Sequence, residues 1–97
     1  MFEFTFSETV IKYEGDGAAW HFITLPTDLA EEINRMASGL KGGWGSIKVR
    51  VTIGSTTWNT SIFPSKSQKS YVLPVKAAVR KAETIEHGDE VEVTLAL

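Results

Sequence analysis

Cysteine is absent from all 97 residues, so the chain has no disulfide framework, no thiolate nucleophile and no thiolate metal site. The cytoplasm is therefore the expected compartment. No run approaches the roughly 18 consecutive apolar residues that a membrane helix requires. Met1 to Val10 alternates apolar and polar residues rather than joining a basic segment to an apolar one, so no secretory signal is expected there.

Catalytic signatures are missing as well. The chain contains no P-loop, no Gly-x-Ser-x-Gly elbow and no dinucleotide fingerprint. Its two histidines, His21 and His87, stand at no metal-ligand spacing from another histidine or a helical carboxylate. Asp28, Glu31 and Glu32 sit where acids complement the start of a helix. The expectation is a protein that is not an enzyme and carries no cofactor and no metal.

A third lack is local. Residues 41–81 contain no Asp or Glu, yet hold Lys41, Lys48, Arg50, Lys66, Lys69, Lys76, Arg80 and Lys81. Residues 1–40 and 82–97 carry a net charge of −5 each, so the overall −2 conceals a basic middle between two acidic ends. The candidate chemistry lies in that middle.

What is present describes an ordinary globular chain: 42% hydrophobic and 23% charged residues predict one domain with a modest core. Phe2, Phe4 and Phe6 alternate with polar neighbours as a half-buried strand does. Apolar residues then move to the odd positions Ile11 and Tyr13, which predicts a bulge or bend near Ser7 to Thr9. A turn at residues 14–17 leads to a strand over 20–25. Pro26 ends it and opens a helix over 27–37, burying Leu29, Ile33 and Met36, with Gly39 as its stop.

Ser46 to Ile53 and Thr56 to Phe63 alternate around Gly54-Ser55, a pair suited to a type II′ two-residue hairpin loop. Residues 65–70 read as a polar loop without an apolar anchor. A short strand over 71–73 follows, then Pro74, a helix over 75–83 burying Val75, Ala78, Val79 and Ala82, a turn at 87–89, and a last strand with Val91, Val93, Leu95 and Leu97 inward. Residues 22–53 and 71–95 thus share one plan: strand, Leu-Pro, helix, turn, strand. The predicted fold is mainly β with two short helices, a small barrel built from two pseudo-repeated strand-helix-strand units.

Loop length fixes hairpin register. Counting outward from Gly54-Ser55 pairs Val51 with Trp58, Val49 with Thr60 and Ile47 with Ile62 on the core side. On the other side Thr52 meets Thr57, Arg50 meets Asn59 and Lys48 meets Ser61. That polar face can hold a phosphate or carboxylate, because Arg50 offers two parallel donors and Ser61 a hydroxyl. The plainer alternative is a solvated exterior on which Lys48 and Arg50 pair with Glu90 and Glu92.

Trp44, between glycines, either folds over a ligand or plugs one end of the barrel, whereas Trp58 belongs to the core. Lys76 and Arg80, four apart on the second helix, project together beside Lys81, and Lys66 lies in the polar loop. The candidate ligand-binding residues are Trp44, Lys48, Arg50, Ser61, Lys66, Lys76 and Arg80.

The segments GWGSIKVRVTIG, TTWNTSIFP, YVLPVKAAVRKA and GDEVEV resemble the bacterial family catalogued as domain of unknown function 1905, over essentially Phe2 to Leu97. The resemblance implies a small double-split β-barrel, similar to that of AbrB-like transition-state regulators and related antitoxins. Residues 71–93 look like the AbrB half-unit. In those proteins two chains form the barrel and bind DNA as a dimer, whereas here both halves lie in one chain. The resemblance also implies occurrence beside a bacteriocin-protection-type domain.

The reading is a cytoplasmic, non-enzymatic module, monomeric or weakly dimeric, holding an anionic small molecule or peptide. Nucleic-acid binding through the same basic segment is the first alternative. A structural or partner-interaction accessory domain is the second.

Overall fold

The computed structural model describes residues 2–15, 17–37, 39 and 45–97. Among the described residues, seven strands and two helices follow in the order β1 (Glu3–Thr9), β2 (Ile11–Gly15), β3 (Ala18–Thr24), α1 (Thr27–Met36), β4 (Ile47–Ile53), β5 (Thr56–Ser65), β6 (Ser70–Pro74), α2 (Ala77–Glu83) and β7 (Glu90–Ala96). The strands form one curled antiparallel sheet of order β1-β7-β4-β5-β6-β3-β2, bent like half a barrel. Its two outermost strands are neighbours in the chain, joined only by Val10.

The bend expected near Ser7 to Thr9 falls instead at Val10, which is fully buried. Its N–H donates to the Asp89 carbonyl and its own carbonyl accepts from Gly88 N–H, both at 2.8 Å. The residue 87–89 turn therefore satisfies the backbone groups that the kink removes from the ladder. Beyond the bend Ile11 and Tyr13 stay exposed, paired across the hairpin with Phe22 and Trp20 on the outer face.

The β4–β5 hairpin has the register that its loop dictates, from Ile47 opposite Ile62 to Ile53 opposite Thr56. Gly54 has φ +59° while Ser55 does not enter the positive region, as a type II′ turn requires. β5 runs longer than expected because it changes partner. Residues 56–62 pair with β4, and Phe63, Pro64 and Ser65 pair with β6.

Inside the curl lie Val10, Ile23, Leu25, Ile33, Val49, Val51, Trp58, Ile62, Leu73, Val79, Val93 and Leu95. α1 contributes Ala30 and Ile33 to this core, and it ends where Ala37 N–H bonds the Ile33 carbonyl. In α2 the prediction needs correction. The helix begins at Ala77, Ala78 and Ala82 are exposed, and only Val79 of the helix is buried. Val75 before it and Ile85 after it supply the remaining apolar anchors. The 65–70 segment is held by a polar anchor, Ser70, which is buried and donates to the Leu25 carbonyl at 2.7 Å. Among the described residues no helix is long and apolar enough to cross a membrane.

Candidate functional site

The polar face of the β4–β5 hairpin begins with alternation. Val49 and Val51 are drawn inward, which turns Lys48 and Arg50 outward, and the register sets Ser61 and Asn59 directly opposite them. Arg50 Nε donates to Asn59 Oδ1 at 3.4 Å, orienting the guanidinium across the strand pair. Lys48, Arg50, Asn59 and Ser61 line an open groove of about 680 Å³ together with the apolar residues Phe63, Ala96 and Leu97. Cations above an apolar floor suit an anion that also carries a carbon skeleton.

Lys48 and Arg50 do not pair with Glu90 and Glu92. β7 meets β4 with Arg50 opposite Ala96 and Thr52 opposite Thr94. Glu92 lies four residues back along β7, toward the Gly54 end of the hairpin, and is matched with Ser7 of β1. The antiparallel register thus carries the acids away from the cations. Among the described residues the one ion pair is Lys12 to Glu14 at 2.9 Å, between exposed side chains.

The other candidates are divided among separate places. Lys76 and Arg80 line a second depression of about 320 Å³ with Trp20, Trp58, Asn59 and Thr60, where β6 has ended between β3 and β5. Lys76 precedes α2 instead of lying within it, so the two cations are not on one helical ridge. Arg80 Nε donates to the Val75 carbonyl at 3.1 Å, which fixes its direction. Lys66 lies with Lys69, Glu31 and Asn34 in a smaller depression that shares no residue with the groove. Trp44 lies outside the described residues. Trp58 is in the core, as its place opposite Val51 requires.

Asn59 and Thr60 border both the groove and the Lys76–Arg80 depression. The latter shares His21, Ala77 and Arg80 with a third hollow of about 540 Å³. Sequence reasoning assigned His21 and His87 no role, and their positions far apart in the chain carry no signal that they approach one another. Asn59 and Phe63 were also outside the predicted set, although Asn59 is readable from the hairpin register. No cluster of three or more potential metal ligands occurs among the described residues.

The motifs along β4, β5, α2 and β7 can now be set against known families. A family model described as domain of unknown function, DUF1905, matches residues 6–95. The chain belongs to the DUF1905 family. The DUF1905 match includes every described candidate residue and both histidines, so the third hollow lies within the matched range, as does the groove apart from Ala96 and Leu97. No match to the chain was found among curated proteins.

Proposed function

We propose that this DUF1905 protein is a non-enzymatic binding module that holds an anionic small molecule or peptide in the groove of Lys48, Arg50 and Ser61. The observation that carries this reading is the convergence of two unpaired cations, Asn59 and Ser61 on an apolar floor from three strands. Arg50 clamps a carboxylate or phosphate through its terminal nitrogens, Ser61 adds a hydrogen bond, and Lys48 supplies charge. Lys66, Lys76 and Arg80 raise the local potential that attracts the ligand.

The scaffold we propose is a double-split barrel of two duplicated strand-helix-strand units, at residues 22–53 and 71–95. The pairing of β3 with β6 and of β4 with β7 supports it, because corresponding strands meet about a two-fold relation. The same proposal makes the protein a bacterial cytoplasmic module, monomeric or weakly dimeric.

One observation favours nucleic-acid binding as a second reading. The three depressions run together through shared residues past Lys48, Arg50, Lys76, Arg80 and Lys81, a track suited to a phosphate backbone. Calorimetric titration with citrate, a short polyglutamate peptide and a mixed-sequence oligonucleotide separates the readings. Groove binding predicts heat with citrate or the peptide that is lost in Arg50→Ala. Salt-sensitive binding of the oligonucleotide alone overturns the first reading in favour of the second.

A further inference from the structure

Away from the groove, the third hollow gathers basic groups from three parts of the chain. Lys12 and His21 face each other across the β2–β3 hairpin, Arg80 and Lys81 come from α2, and His87 comes from the turn before β7. The backbone holds them in place. His21 carbonyl accepts from Val75 N–H at 2.9 Å, and Val75 carbonyl accepts from Arg80 Nε, so the His21 backbone and the Arg80 guanidinium are tied to the same residue. Lys12 N–H donates to His87 Nδ1 at 2.9 Å, which leaves the ring proton of neutral His87 on Nε2.

The arrangement is electrostatically unbalanced. Among the described residues Glu86 is the one acid lining the hollow, and Glu14, which does not line it, pairs with the Lys12 ammonium. His21 Nδ1 is buried without a hydrogen-bond partner. Desolvation, and then the charges of Arg80, Lys12 and His87, hold its pKa below the ordinary histidine value. Two imidazoles, a guanidinium with its Nη groups available and two ammonium groups provide many donors for a compact, multiply charged oxyanion.

We infer that the hollow between the β2–β3 hairpin and α2 is a second anion site, which takes a phosphate group through Arg80, His21, His87 and Lys81. A dianion there supplies the counter-charge that the described residues lack and favours protonated His21. Phosphate binding is accordingly coupled to protonation of His21 and raises its pKa from the lowered position. The facing charged groups are Lys12, Arg80, Lys81, Glu86 and, through Lys12, Glu14. This site stands independently of the groove, because Arg50 does not line it.

The test is an NMR titration of the histidine ring resonances with inorganic phosphate, against chloride at matched ionic strength. Saturable shifts of both rings and an upward move of the His21 pKa are expected. Arg80→Gln and, separately, the exposed Lys81→Gln each weaken the phosphate response about tenfold, while Arg50→Ala leaves it unchanged. Lys81→Gln keeps the test valid should Arg80→Gln unfold. No phosphate-specific saturation, or saturation unaffected in a folded variant, overturns the site. Loss of the response in Arg50→Ala assigns the phosphate to the groove and likewise overturns it.

Discussion

Gly54 is the residue at which the hairpin is most exposed to substitution. Its φ of +59° belongs to the left-handed region, and a Cβ there would meet the Glu83 carboxylate. That carboxylate is already engaged, accepting from Ser55 and Thr56 hydroxyls and so tying the hairpin tip to α2. Gly54→Ala is predicted to cost about 1–2 kcal/mol from backbone strain alone, read as a lower midpoint in urea denaturation. Tyr71 offers a second residue-scale test. Its hydroxyl donates to Asn34 Oδ1 at 3.0 Å, and burial raises its pKa above the usual tyrosine value. Because the folded state favours the neutral phenol, this contribution is complete below the unfolded pKa and is lost as pH climbs through the folded one. An ultraviolet pH titration should contain a late-ionising component that Tyr71→Phe abolishes.

At the scale of elements, α2 ends in an unusual way. Thr84 caps it with φ 55° and ψ 50°, a conformation that a β-branched residue adopts at a cost. Thr84→Gly should raise stability by up to about 1 kcal/mol, the relief of the cap being partly offset by a more flexible unfolded chain. Unchanged or lower stability in thermal unfolding would show that the left-handed cap is not strained. The elements also divide by how far the sequence reveals them. The β4–β5 register is readable because a two-residue loop permits one register and alternation agrees with it. The buried side of α2 is not readable. Its alanines fit a helical stripe, yet two turns of helix reach the core only through Val79, with Val75 and Ile85 anchoring from outside. The Val10 bend, similarly, depends on the distant 87–89 turn.

The whole molecule brings together what local patterns cannot. Half of the groove is legible, since Lys48, Arg50, Asn59 and Ser61 follow from one hairpin. The remainder depends on β7 inserting between β1 and β4, which delivers Ala96 and Leu97 and moves Glu90 and Glu92 away. No periodicity announces that placement. The meeting of His21, Arg80 and His87 likewise needs three segments to be folded first. It carries a global consequence for stability. With the His21 pKa lowered in the folded state, the unfolded chain binds more protons between the folded and unfolded values, so stability should rise with pH through that window. His21→Gln should flatten this slope in denaturation measured across mildly acidic pH, and an undiminished slope would assign it elsewhere.

The central claim is that an anion seats in the Lys48–Arg50–Ser61 groove, and amide chemical-shift mapping during a citrate titration tests it most directly. The account predicts saturable shifts concentrated at Lys48, Arg50, Asn59, Ser61 and Leu97, with the same titration silent at those residues in Arg50→Ala. Shifts confined to other surfaces, or unchanged in Arg50→Ala, would contradict it.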